Sequence, residues 1–174
     1  NAALAIAVLE YLPDELRPTA EAVQSGIRSV EYHGRDQIEV DEGGTWLFDV
    51  AHNVAGTRSL VDTIDRLELP RPLVMVVGVL GDKDWRGMLP PLFSRADQAI
   101  LTQAPSAPPE RRWSVRDAGD SVGTITHVTV EEDFERAMQK ARAEAGKGTV
   151  LVTGSVHTVG SALSVLGLEP LSKW

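Results

Sequence analysis

Three short stretches combine side chains that bind charge with places where a chain turns. Thr45-Trp-Leu-Phe-Asp49-Val-Ala-His52-Asn53 ends in an acid, an imidazole and an amide. Gly81-Asp82-Lys83-Asp84 sets a lysine between two acids, and Gly154-Ser155-Val-His157 adds a hydroxyl and another imidazole. Lysine, imidazole and hydroxyl can hold a carboxylate or phosphate, while Asp49 can accept from hydroxyls such as those of a ribose. A helix start adds backbone N–H groups and the positive end of a dipole, which favour anions. At a partly buried site, opposite charges 4 Å apart attract by about 4 kcal/mol before desolvation is subtracted.

Each residue also has a plain structural use. Asp49 and Asn53 suit turns and helix caps, His52 a solvated turn, Lys83 a type I turn and Ser155 an N-cap. Residue types alone therefore support an anion-binding α/β corner and leave the caps open beside it.

Other matches fail. Gly146-Lys147-Gly148 is no phosphate loop, because position 141 is alanine and no Ser or Thr follows the lysine. Gly78-Val-Leu-Gly81 lacks the dinucleotide glycine spacing. Thr153 and His157 flank Ser155 where a nucleophile elbow has glycines, which counts against a hydrolase using Ser155 and His52. The histidines at 33, 52, 127 and 157 have no close metal-ligand spacing, so no metal site is expected.

The elements that position these residues alternate in type. Helical spacing covers 2–12 through Leu4, Val8, Leu9 and Leu12, then Thr19–Ile27 with Thr19 as cap. Residues 36–40 and 45–49 read as a hairpin around Asp41-Glu-Gly-Gly44. A helix after Asn53 carries the stripe Leu60, Val61, Ile64 and Leu67. Leu73-Val-Met-Val-Val-Gly-Val79 suits a central parallel strand covered on both faces. A short helix from Asp84, a strand at 98–102, an exposed loop with three prolines at 103–112 and a helix near 114–121 follow. His127-Val-Thr reads as a short strand end. Thr129-Val-Glu-Glu132 reads as a capping box for a helix burying Phe134, Ala137, Met138 and Ala141. Thr149–Val152 is the last parallel strand, and Gly154-Ser155 opens a closing helix. The sum is α/β: a Rossmann-like, open, mostly parallel sheet with helices on both faces. The loops 49–53, 81–84 and 153–157 then emerge on one sheet edge.

At 174 residues the chain is about one domain by the usual 100–200-residue prior. Its 25 acids against 17 bases give a net charge of −8, which argues against a nucleic-acid partner. The absence of cysteine excludes disulfides and thiolate metal sites and fits a cytoplasmic protein. No apolar run reaches the roughly 18–20 residues of a membrane span, and the apolar start runs into Glu10 and Asp14 without a basic leader. No membrane partner is expected. The chain starts at Asn1 rather than Met, which fits a piece of something longer.

Five stretches in register resemble one family. Asp49-Val-Ala-His52-Asn53, Gly78-Val-Leu-Gly-Asp82-Lys83-Asp84 with Met88-Leu89, and Thr153-Gly-Ser155-Val-His-Thr-Val-Gly160 look like successive signatures of the C-terminal domain of folylpolyglutamate synthase/dihydrofolate synthase, in the Mur ligase superfamily. His33-Gly34-Arg35 resembles the family's aromatic-Pro-Gly-Arg stretch, and Asn1-Ala-Ala-Leu-Ala the last helix of its central ATPase domain. The resemblance implies that residues 1–28 are the tail of that domain with a linker helix, and 29–174 the C-terminal ligase domain.

It also implies an ATP-dependent addition of L-glutamate to folate or dihydropteroate through an acyl phosphate. Arg35 and Asp49 would meet ATP, and His52, Lys83 and Ser155 would seat glutamate, with Asn53, Asp82, Asp84 and His157 in support. ATP and Mg²⁺ would be required. The Mg²⁺ ligands and phosphate loop would lie in the N-terminal and central domains, so these residues alone would be inactive. Val54 and His33 stand where the family has proline, and His157 where it has an aromatic residue. Two other readings remain: another Mur-type ligase of cell-wall synthesis, and a non-catalytic nucleotide- or anion-binding domain.

Overall fold

The computed structural model describes residues 2–30, 32–122, 125 and 127–168. Asn1, which opens the Asn1-Ala-Ala-Leu-Ala stretch of the family resemblance, lies outside them. The chain divides into two units, Asn1–Tyr32 and His33–Trp174. The first holds α1 (Ala2–Glu10), a 3-10 turn (Asp14–Leu16) and α2 (Ala20–Arg28). Thr19 caps α2, its hydroxyl accepting from the Ala22 amide at 3.2 Å. α1 stops short of Leu12, since the residue before Pro13 is disfavoured in helix. Neither helix buries a residue, and Leu4, Val8 and Leu16 stand exposed.

The second unit contains β1 (Gln37–Asp41), β2 (Gly44–Asp49), β3 (Leu73–Val77), β4 (Gln98–Leu101), β5 (Val128–Val130) and β6 (Thr149–Thr153). They form one sheet in the order β1-β2-β6-β3-β4-β5. β1 and β2 are the expected antiparallel hairpin, and the other pairings are parallel. At the hairpin turn the Asp41 carboxylate accepts from the Gly43 and Gly44 amides at 2.6 and 3.0 Å.

The apolar runs in β2, β3 and β6 are buried from both sides, as parallel strands under two helical layers must be. Their residues still alternate. Leu47, Met75 and Leu151 pack with α3 (Val54–Arg66), α4 (Trp85–Phe93) and α5 (Val115–Ser121). Phe48, Val76 and Val152 pack with α6 (Phe134–Ala145) and α7 (Val156–Val165). Burying each such large side chain contributes about 1.5–3 kcal/mol relative to leaving it exposed. The fold is the open, doubly wound α/β sheet that the alternation implies.

Register sets up the functional edge. Asp49 pairs with Thr153, and Thr153 with Val77, so β2, β6 and β3 end in one row. α3 and α4 leave that row on one face and α7 on the other. Helices diverging from neighbouring strand ends open a crevice between them, the usual ligand position in such sheets.

Two local expectations need correction. Thr129 does not cap a helix: it sits inside β5, opposite Ile100 of β4. α6 is capped by Asp133, whose carboxylate accepts from the Arg136 amide at 2.9 Å. Pairing with β4 satisfies the backbone around Thr129 and overrides the local capping signature. Nor is 103–112 a free exposed loop. Ala104 and Ala107 are buried with Leu80, Pro109–Arg111 is a 3-10 turn, and Leu80 forms an antiparallel bridge with Arg112. Among the described residues no helix is long and apolar enough to cross a membrane.

Candidate functional site

The corner after β2 is built around Asp49. Being the last residue of a buried strand leaves it 8% exposed, with Oδ1 accepting from the Ala51 amide at 2.8 Å and Oδ2 from the Asp36 amide at 3.2 Å. Burial pushes its carboxyl above the ordinary 3.8; the two amides and Arg35 oppose that rise, and Asp36 adds to it. The Val50 amide donates to Gly34 O at 2.8 Å, and the Gly34 amide to Gln37 Oε1 at 2.8 Å. These bonds stitch the 33–37 turn onto the strand end, with Asp36 at φ +47°, a conformation aspartate tolerates better than most residues. Exposed Arg35 is thereby held within electrostatic range of Asp49.

His52 is half-buried, with Nδ1 2.9 Å from Val50 O. A carbonyl only accepts, so Nδ1 carries the proton, and in the neutral ring Nε2 keeps its lone pair. Asn53 caps α3, accepting from the Gly56 amide at 2.8 Å.

The loop after β3 places Lys83 and its two acids. Asp84 caps α4, accepting from the Gly87 amide at 3.0 Å. A Cβ on Gly87 would lie 2.9 Å from Val54 Cγ2, so glycine lets the starts of α3 and α4 meet. Lys83 is 32% exposed, with Nζ 3.5 Å from Asp82 Oδ2. Asp82 is gripped by Arg111 across both oxygens, at 2.9 and 3.1 Å. Hydrogen bonding from Arg111, with its charge and that of Lys83, holds the Asp82 carboxyl below the ordinary 3.8.

The turn after β6 needs two glycines. The Gly78 amide donates to Thr153 O at 3.1 Å, and a Cβ on Gly154, at φ +108°, would lie 2.6 Å from Gly78 O. Ser155 caps α7 and is 2% exposed. Its Oγ accepts from the Thr158 amide at 3.0 Å and lies 2.8 Å from Thr158 Oγ1, which donates to Gly78 O at 2.6 Å. With the Thr158 proton spent on Gly78, Ser155 must donate its own to Thr158. The hydroxyl therefore ties α7 to the end of β3. What this turn offers an anion is the unbonded amides of the first helical turn. His157 is half-buried, with Nδ1 3.4 Å from Ser106 Oγ.

The structure thus joins Arg35 to Asp49, Asp82 to Lys83, and Ser155 to the β3 end. Among the described residues no hydrogen bond or ion pair links His52, Lys83 and Ser155 to one another; the strand-end row groups them. Residue types had not singled out Arg111 and Ser106. The only local hint was a basic pair closing a proline-rich loop. Among the described residues no three His, Cys, Asp or Glu side chains gather to hold a metal ion.

Residues 34–156 match the family model of the Mur ligase, glutamate ligase domain. The dihydrofolate synthase/folylpolyglutamate synthase of Escherichia coli (strain K12) is 34% identical over 169 residues, 95% of this chain and 37% of its own length. A UDP-N-acetylmuramyl-tripeptide synthetase of Latilactobacillus sakei is 30% identical over 139 residues, 75% of this chain and 26% of that protein. Among solved structures, FolC from E. coli in complex with ADP superposes with a TM-score of 0.79 at 31% identity, over 95% of this chain and 38% of that one. The Yersinia pestis bifunctional synthase with Mn, AMPPNP and L-glutamate bound gives 0.75 at 30% identity, with the same coverage. The chain therefore spans little more than a third of the E. coli relative's length.

Proposed function

The chain belongs to the Mur ligase, glutamate ligase domain family, and from that premise we propose that it seats the amino acid in an ATP-dependent ligase adding L-glutamate to folate or dihydropteroate. The observation that carries this is the single row Asp49–Thr153–Val77, which brings the three turns to one edge of the sheet. The similar structures in complex with ADP, or with AMPPNP and L-glutamate, support the substrate class.

In this reading ATP phosphorylates a substrate carboxylate. The glutamate amine attacks that acyl carbon: a C–N bond forms, the C–O bond to phosphate breaks, phosphate leaves, and the amine loses a proton. Lys83 and the first-turn amides of α7 hold glutamate carboxylates, while the lone pair on His52 Nε2 accepts from the amine and aims it. Arg35 faces the nucleotide phosphates and Asp49 the ribose. Ser155, Asn53 and Asp84 build the turns rather than touch the substrate, and His157 supports the start of α7. The rate gain comes from orientation and from charge held in place beforehand.

Residues 1–28 belong in this view to the tail of a preceding ATPase domain, to which the exposed Leu4, Val8 and Leu16 are suited. That part of the enzyme supplies the phosphate loop and the Mg²⁺ ligands, and the whole works in the cytoplasm. Assays of the full-length enzyme with ATP and glutamate, offering either pteroate and folate or UDP-linked cell-wall precursors, decide between the two ligase readings. Glutamate addition to the folates is expected, with none by these 174 residues alone. Turnover only with a UDP-linked acceptor would favour the second reading, which the L. sakei match motivates. ATP-dependent addition by the 174-residue piece would contradict the division of labour.

A further inference from the structure

The loop 103–112 touches two of the three strand-end turns. Near its start, Ser106 Oγ lies 3.2 Å from His157 O and 2.9 Å from Ser161 Oγ on α7. At its end, the Gly81 amide donates to Arg111 O at 2.8 Å, and the Arg111 guanidinium closes on both oxygens of Asp82. Lys83 Nζ lies 3.5 Å from the same carboxylate, beyond ordinary hydrogen-bond length. A carboxylate next in sequence to a lysine is its nearest competitor for the ammonium. A planar, two-pronged guanidinium takes such a carboxylate better than a point charge does.

We propose that Arg111 is a positioning residue: by occupying both oxygens of Asp82, it keeps that carboxylate from closing on Lys83 and leaves the ammonium available to a substrate carboxylate. This rests on the reading that Lys83 seats the incoming amino acid.

The Arg111–Asp82 pair is about half exposed, at 40% and 49%, where an ion pair adds little to stability. The loop has other anchors: the Leu80–Arg112 bridge, buried Ala104 and Ala107, and Trp113 Nε1 donating to Thr102 O at 3.0 Å. Truncating the guanidinium therefore leaves the loop in place and frees Asp82 to turn toward Lys83.

The test is steady-state kinetics on the full-length enzyme. Arg111→Ala is expected to raise the KM for glutamate about tenfold, the scale of one weakened charged contact, with kcat and the KM for ATP nearly unchanged. Adding Asp82→Asn removes the competitor and should return the glutamate KM to within about threefold of wild type, a difference below one charged hydrogen bond. Arg111→Lys, a single point charge, should fall between. An unchanged glutamate KM in Arg111→Ala overturns the proposal, as does a rise that Asp82→Asn fails to reverse, which would mark Arg111 as a loop anchor only. Lys83→Ala is measured alongside. If it raises the glutamate KM and Arg111→Ala does not, the proposal falls and the role of Lys83 stands. If neither does, both fall.

Discussion

Lys83→Ala in the full-length enzyme is expected to raise the KM for glutamate by between about tenfold and a hundredfold, with the KM for ATP changed by less than about threefold. A hydrogen bond to a charged partner contributes about 1.5–3 kcal/mol, and each 1.4 kcal/mol is a factor of ten in affinity. Lys83 is only 32% exposed, so solvent screens it incompletely and the upper half of that range is the better expectation. In this reading the contact acts on the incoming amino acid alone. ATP sits by Arg35 and Asp49 in this view, at the end of a different strand. Initial rates with each substrate varied in turn separate the two effects. Equal rises in both KM values would remove Lys83 from the glutamate site.

Gly154→Ala is expected to destabilise the protein by about 3 kcal/mol, from backbone strain of roughly 1–3 kcal/mol and overpacking of similar size. Its φ of +108° is rarely open to a side chain, and the added Cβ would meet Gly78 O, C and N at 2.6, 2.9 and 3.2 Å. Those atoms are backbone at the end of β3 and cannot swing aside. The relief available is to push α7 away from β3, breaking the contact of Thr158 Oγ1 with Gly78 O and widening the crevice. Gly160→Ala is the matched control. It lies within α7 with nothing near the added Cβ, so it should be neutral or gain up to about 1 kcal/mol from helix propensity. Urea unfolding of both variants reads the contrast. A loss below about 1 kcal/mol for Gly154→Ala, less than the strain alone, would show that the close approach is not required.

Much of this architecture was legible in the chain because the signals are local. The run at 73–77 and its counterpart at 149–152 lack alternation, as buried parallel strands do, and both are central strands. Asn53, Asp84 and Ser155 each sit one residue before a helix and each caps it. What was not legible depended on partners distant in sequence. Thr129 matched a capping pattern, but β4 claimed its backbone. The prolines of 103–112 read as exposure, whereas Ala104, Ala107 and the 29-residue link from Arg111 to Asp82 fold that loop back onto the β3 turn. Ser155 carried both a cap and a ligand reading. The structure uses its hydroxyl as the cap, through Thr158, a partner whose role no motif announces. Arg35 and Asp49 were grouped by resemblance; the physical link is a pair of hydrogen bonds, Asp36 amide to the Asp49 carboxylate and Val50 amide to Gly34 O, that stitch 34–36 onto 49–50.

The central claim is that the turns after β2, β3 and β6 together seat the incoming amino acid. A crystal structure of the full-length enzyme with a non-hydrolysable ATP analogue and L-glutamate tests it most directly. The expected result is a glutamate carboxylate within hydrogen-bond distance of Lys83 Nζ and the first amides of α7, with the amine facing His52 Nε2. Glutamate bound away from these three turns, with Lys83 beside Asp82 alone, would contradict it.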